Sequence, residues 1–371
     1  MNIVLIEPFF SGSHKQWALG YKKYSKYNIE ILSLKGIFWK WRMHGGALTL
    51  SKMFNEYLKK NKKPDLILVT DMLNLPLFTS FANVENIPIV TFFHENQITY
   101  PWSTQDRDKE KNRDHHYGFI NYTTALRSDL VMFNSYFHKN IFINELKKFL
   151  KKFPDNKNLE NVDLIEQKSK VTYLGLDLSK FDEHQNDSIN NTPIILWNHR
   201  WEYDKNPEDF FDCLKKLKKQ NIKFKLIILG EEFQTEFQTE MNTFTKARDY
   251  FSNEIIHMGY SNSFEEYARL LHKSDILPVT TKQEFFGISV IEAIYCNVFP
   301  LLPRRLTYPE LFNDKINHKN FYDNNSELFE KLKKAILNVE KISLKSISKK
   351  YDWNIISNSY DKIFKDLKRT I

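Results

Sequence analysis

Glycine is scarce in this chain: ten residues in 371, about 2.7% against ~7% in average chains. Each one that remains is a candidate for a place where a side chain does not fit. Cysteine is scarcer still. Cys213 and Cys296 are too few for a disulfide framework or a zinc cluster, and the pair fits a reducing cytoplasm. No stretch approaches the ~20 consecutive apolar residues of a membrane-spanning helix, so stable membrane insertion is not expected. Met1–Glu7 has no basic leader and reads as a first buried strand rather than a signal peptide. HxxxH and CxxC spacings are absent, and the adjacent His115 and His116 do not chelate from a helix. No metal site and no metal dependence are therefore expected. A serine nucleophile elbow and a P-loop are missing too.

What is present begins with charge. Lys and Arg number 54 against 46 Asp and Glu, a net +8, and the excess is concentrated. Residues 1–63 hold twelve basic and three acidic side chains, a surplus of nine, so the remainder nets −1. A basic N-terminal part suits an anionic partner such as RNA or a lipid headgroup. It is equally what a lysine-rich solvated face looks like.

Short apolar runs alternate with longer amphipathic stretches from end to end, the pattern of parallel α/β architecture. The first half predicts strands at 2–6, 29–33, 65–70, 88–93 and 129–133, with helices at 14–26, 46–61, 73–82, 112–127 and 135–151. The second half restarts with strands at 193–197, 223–229, 254–258, 275–279 and 298–302, and helices at 207–219, 231–247, 262–272, 287–295 and 325–337. The reading is two doubly wound domains, 1–181 and 193–350, joined by a polar linker at 182–192. A last helix, 351–371, carries a stripe of Trp353, Ile356, Tyr360, Ile363 and Leu367 and is expected to dock across the domains. Two such domains imply a cleft, and ligands of such sheets sit at strand C-termini.

Four blocks at predicted strand ends carry the chemistry. Glu284-Phe-Phe-Gly-Ile-Ser-Val-Ile-Glu292 runs from a loop into a helix, where amides around Phe286 and Gly287 are free to donate to an anion or to sugar oxygens. A Glu inside an otherwise apolar helix is costly unless partnered. Ile194–Pro207 is a strand, a polar loop and a helix opened by Pro207. Its Arg200 and Lys205 could neutralise a diphosphate leaving group. His94-Glu95-Asn96-Gln97 follows a buried strand, where function concentrates. Gly12 in Ser11-Gly12-Ser13 precedes a helix beginning near His14; it suits a phosphate-facing loop or an ordinary tight turn. Trp39, Trp41, Arg42 and His44 flank Gly45-Gly46 and could stack on nucleobases and meet phosphates. The alternative is a helix-entry loop packed on the core. Asp106–His116, with four acidic and four basic side chains, reads as a loop that could cover the acceptor.

The Glu284–Glu292 pair, a Glu, seven residues and a Glu, resembles the donor segment of retaining nucleotide-sugar glycosyltransferases of large family four, which have the GT-B fold of two Rossmann-like domains. Glu7-Pro-Phe-Phe-Ser-Gly-Ser-His14, Phe38–Gly46, Phe92–Trp102 and Leu196–Lys205 narrow the resemblance. Together they are similar to the tRNA-queuosine mannosyltransferases, as a bacterial relative. Glu284 is followed here by Phe285 where the wider family has glycine. The resemblance implies mannose transfer from GDP-mannose to queuosine in a tRNA anticodon, with retention, and no cofactor. It implies donor contacts from Gly12, Arg200, Lys205, Glu284, Phe285, Phe286, Gly287 and Glu292, the last on the ribose. His94, Arg200, Lys205 and Glu284 would be the catalytic set. His14, Trp39, Arg42, His44, Glu95, Asn96 and Gln97 would meet the acceptor. Retention on one face, with the departing phosphate taking the acceptor proton, needs no second carboxylate, unlike retaining glycosidases. A glycolipid or polysaccharide acceptor is the alternative, and a non-enzymatic RNA-binding protein a third reading.

Overall fold

The computed structural model describes residues 1–101, 115–185, 190–230, 238–312, 318–339 and 343–370. Most of the Asp106–His116 segment lies outside them. The chain divides into two compact units, Met1–Asp177 with Trp353–Ile371, and Leu178–Asp352. The division precedes the polar 182–192 stretch, because Ser179–His184 is a 3₁₀ turn that packs Phe181 on Phe264 and Tyr267 of the second unit.

The first unit is a six-stranded parallel sheet in the order β2-β1-β3-β4-β5-β6. Its strands are β1 Asn2–Phe10, β2 Asn28–Lys35, β3 Leu66–Thr70, β4 Ile89–Phe93, β5 Leu130–Phe133 and β6 Ser169–Val171. Its helices are α1 Gly12–Tyr24, α2 Trp39–Lys60, α3 Leu75–Phe81, α4 His115–Arg127, α5 Tyr136–Lys151 and α6 Glu160–Gln167. β3 and β4 are buried at every residue, as uninterrupted apolar runs covered on both faces must be. Strand order reverses between β1 and β3, which makes their carboxyl ends the crevice where such sheets bind ligands.

The second unit is another six-stranded parallel sheet, β12-β11-β10-β7-β8-β9. Its strands are β7 Ile194–Asn198, β8 Lys225–Leu229, β9 Ile255–Gly259, β10 Ile276–Pro278, β11 Phe299–Pro303 and β12 Phe321–Tyr322. Its helices are α7 Pro207–Lys219, α8 Gln238–Tyr250, α9 Phe264–Lys273, α10 Ile288–Tyr295, α11 Tyr308–Phe312, α12 Asn325–Leu337 and α13 Lys345–Ser348. Read from the other edge, this is the Rossmann order, whereas the first sheet has the flavodoxin-like order. α7 begins at Pro207, carries Glu208 and Asp209 in its first turn and Lys216, Lys218 and Lys219 in its last, all favourable to the helix dipole.

The last helix, α14 Trp353–Thr370, belongs with the first unit. Trp353, Ile356, Tyr360 and Phe364 are its buried hydrophobic residues; Phe364 takes the place expected for Ile363. Tyr21 of α1 packs on Trp353 and Tyr360 and donates to Asp361 at 2.8 Å. A Cβ on Gly20 or Gly175 would lie 2.1 or 2.2 Å from the Trp353 ring, so these scarce glycines make room for that indole. Among the described residues no helix is long and apolar enough to cross a membrane.

Candidate active site

In the second unit, β7 ends at Asn198 and the loop His199–Asn206 leads into α7. Asn206 adopts φ +55 as the N-cap, a conformation asparagine tolerates better than most. Thr280 Oγ1 donates to the carbonyls of Lys205 and Asn206 at 3.1 and 2.9 Å, and Lys282 N donates to Asp204 O at 2.7 Å. Two strand-end loops are thus laced together. Lys205 is buried, and its Nζ lies 3.0 Å from Asp204 and 3.3 Å from Glu284. Burial works against its charge, but Glu284 and Asp204 more than offset this and raise its pKa. Burial likewise pushes the Glu284 carboxyl up, and Lys205 brings it below the usual range. Both stay ionised.

Glu284 also accepts from Phe286 N–H at 3.3 Å. Gly287 caps α10 at φ +88 with no side-chain cap, so the first-turn amides lie beside this carboxylate. Phe285 and Phe286 bury their rings, Phe286 edge-on to Tyr351 at 5.4 Å. What they can offer a ligand is therefore backbone. Glu292 accepts from Tyr267 O–H at 2.7 Å, and burial raises its pKa. This is the partner a carboxylate in an apolar helix requires. Arg200 departs from the buried pair: it is half-exposed and meets Glu202 at 3.1 Å. Sequence reasoning missed Asp204, buried against Lys205, and His199, whose Nδ1 meets Ser289 Oγ at 3.1 Å. Asp204 could have been suspected as an acid directly before the candidate lysine.

In the first unit the ends of β1, β3 and β4 converge. Glu7, inside β1, is fully buried; it accepts from Phe9 N–H at 2.8 Å and meets His14 Nδ1 at 3.0 Å. His14 and His94 stack with centroids 4.1 Å apart, and His94 meets Trp17 edge-on. Asp71, just past β3, accepts from His94 N–H at 2.8 Å. His94 Nε2 is buried without a hydrogen-bond partner. Gln97 Nε2 donates to Glu95 at 2.9 Å. Asn96 turns its carbonyl inward, accepting from Ile98 N–H, Thr99 N–H and Thr99 O–H, so that oxygen shapes the loop rather than facing an acceptor. Gly12 has φ +49 and open space around its missing Cβ; conformation, not crowding, calls for glycine there.

Gly45 and Gly46 lie within α2, which starts at Trp39; the helix entry is therefore at Phe38, upstream of both. Trp39 packs on Tyr117 at 5.1 Å within a cluster of Met43, Met72 and Ile120. Arg42 Nε donates to Lys35 O at 3.0 Å, and His44 stacks on His116 at 4.4 Å.

Glu7, His14 and His94 place ligating atoms within 4.8 Å of one another. This triplet corrects the expectation that no ligand cluster exists, since spacing rules look along one element and these residues come from three. Glu7 and His14 already share a proton across their hydrogen bond, and a cation would have to displace it.

The same groups set a pH response. Burial opposes charge on His14, but Glu7 raises its pKa from 6.5 to about 9. The folded protein therefore keeps a proton that the unfolded chain releases. This contribution to stability is complete below 6.5 and lost as pH climbs to about 9. Burial raises Asp71 to about 8, which acts in the same direction. Burial holds His94 far below 6.5 and takes His138 to about 3 and His199 to about 4; these weaken the fold as pH falls below 6.5. The melting temperature should peak near neutrality, and Glu7→Gln should flatten the alkaline decline. Thermal melts that decline as steeply in the variant would refute the Glu7–His14 pairing.

Residues 2–176 match the tRNA-queuosine alpha-mannosyltransferase N-terminal family, and residues 179–352 match the glycosyl transferases group 1 family. A Drosophila melanogaster tRNA-queuosine alpha-mannosyltransferase is 31% identical over 342 residues, covering 89% of this chain and 86% of that protein. Among solved structures, sucrose-phosphate synthase from Thermosynechococcus elongatus superposes with TM-score 0.71 at 11% identity over the full length of both chains. Anabaena HepE in complex with UDP gives 0.67 at 15% identity over 99% of this chain and 100% of that one. At such identities the likeness shows the GT-B fold. The two sheets, the Lys205–Glu284 pair at a helix start and the matched relative agree: the chain belongs to the tRNA-queuosine alpha-mannosyltransferase family of glycosyltransferases.

Proposed function

We propose that this protein transfers mannose from GDP-mannose to queuosine in a tRNA anticodon, retaining the anomeric configuration, in the cytoplasm and without a metal ion. The observation that carries the donor side is the Lys205–Glu284 pair beside the first-turn amides of α10. Lys205 is a fixed, buried cation suited to the charge that develops on a departing diphosphate. Arg200, half-exposed on the same loop and in contact with Glu202, turns onto that group as a second cation. Glu284 and the amides after Phe285 hold sugar hydroxyls, and Glu292 takes the ribose. On the acceptor side, His94 Nε2, buried and unpartnered, accepts a hydrogen bond from a substrate hydroxyl other than the attacking one, whose proton goes to the phosphate. His14 and Glu95 flank it.

The departing phosphate oxygen takes the acceptor proton as the new glycosidic bond forms on the face the leaving group vacates. The test incubates the protein with GDP-mannose and queuosine-containing tRNA, then weighs the digested nucleosides. Queuosine one hexose heavier, with or without a chelator, is the expected result. Loss of transfer on chelation, restored by a divalent ion, would move catalysis onto a metal. Unmodified queuosine together with a glycosylated lipid would replace the acceptor.

A further inference from the structure

The α2 entry holds a feature the reaction as drawn does not use. Phe38 is the N-cap of α2 at φ +54, ψ +56, a left-handed conformation that a β-carbon disfavours, and its side chain makes no capping bond. It is also 75% exposed, beside Ile37 at 48% and Trp41 at 63%. A strained backbone that presents an aromatic ring to water costs stability twice, and glycine would relieve both. Trp41 leans back over Gly45, four residues on: a Cβ there would sit 2.7 Å from its ring. The indole is thus seated beside Gly45 while most of it stays exposed.

The placement and charge of this patch select its occupant. A Cβ on Gly36 would lie 2.1 Å from Ser11 Cβ, so the loop bearing Phe38 rests on the loop after β1. Phe9 and Trp39 pack on Met43, Met72 and Tyr117, rooting the helix entry next to Asp71. The two outward rings therefore border the crevice that holds His14 and His94. Lys35, Lys40 and Arg42 flank them in sequence, and no acidic residue lies between Glu30 and Glu56. Flat aromatic faces interleaved with cations match unstacked nucleobases on a polyanionic strand.

We infer that Phe38 and Trp41 form a stacking platform for an unpaired base of the anticodon loop, next to the base being modified. The inference rests on the tRNA reading above. Its test compares the parent protein with Phe38→Gly, Trp41→Ala and the double variant. Binding of a queuosine-containing anticodon stem-loop is read by fluorescence anisotropy, alongside KM for GDP-mannose and melting temperature. Each substitution should weaken stem-loop binding about 5- to 100-fold, the range for losing one base–aromatic stack, with KM for GDP-mannose unchanged. Phe38→Gly should melt no lower than the parent, which separates lost recognition from lost folding.

Parental stem-loop affinity in the double variant would overturn the platform. So would lost binding to phosphatidylglycerol vesicles with stem-loop affinity intact, since the patch would then be a membrane contact. A parent that binds the stem-loop, with variants that do not, supports the platform even where no mannose is transferred; in that case the activity reading alone fails.

Discussion

Lys205→Ala is expected to lower kcat by roughly 10²–10³, the scale for deleting one preorganised group that stabilises transition-state charge. The same substitution should also weaken the fold, because Asp204 and Glu284 would lose the cation between them. Breaking a buried pair by removing one partner typically costs about 3–5 kcal/mol. Arg200→Ala makes the contrast. Its guanidinium is half-exposed and meets Glu202 at the rim, where ion pairs are worth about 0–1 kcal/mol. Arg200→Ala should therefore cut turnover on the same scale while leaving the melting temperature nearly unchanged. Lys205→Arg keeps the charge but not the fit, and should fall between. Turnover within a few-fold of the parent for both alanine variants would reject the leaving-group assignment. A loss confined to Lys205→Ala that tracks its melting temperature would reduce the lysine to a structural role.

The alternation of strands and helices was legible because each central strand is a short apolar run between amphipathic segments. α7 and α12 fall at their expected 207–219 and 325–337, each marked by a proline or asparagine at its start. The departures have physical causes. β6 and β12 have three and two residues, too short for any period to show. α2 begins seven residues before expectation because Met43 is buried along its face and the partly buried Trp39 packs against the same cluster, and their packing overrides the weak propensity of two glycines. Sheet order could not be read at all, since it depends on which edges meet. The candidate donor loops were legible as local strings, Arg200 through Lys205 and Glu284 through Glu292. The cluster of Glu7, His14, Asp71 and His94 was only half visible. Its members come from three strand ends, and only burial shows that Glu7 and Asp71 answer the two histidines. A polar residue closing an apolar strand was the available signal, and it occurs at each of these ends.

Salt should weaken tRNA binding by about 50- to 150-fold between 50 and 200 mM, on a slope of 0.7 to 0.9 per phosphate neutralised. The estimate assumes four phosphates, far fewer than the twelve basic residues of 1–63 would suggest. The structure explains the reduction. α2 has 22 residues, about 33 Å at 1.5 Å per residue, so Lys59, Lys60, Lys62 and Lys63 stand a full helix length from its entry. Lys22 and Lys23 face Glu30 and Asp177, and Lys59 faces Glu56. Lys15, Lys35, Lys40 and Arg42 are the cations beside the loops after β1 and β2, within reach of an RNA seated at the crevice. Removing one of them, as in Arg42→Ala, should lower the logarithmic slope by about one and leave GDP-mannose binding nearly unchanged. Titrating both ligands against salt, on parent and variant, reads this directly. Binding that is flat with salt would remove the phosphate contacts. A slope near ten would mean that all twelve basic residues of 1–63 engage RNA, and that the crevice is not where the anticodon arm is held.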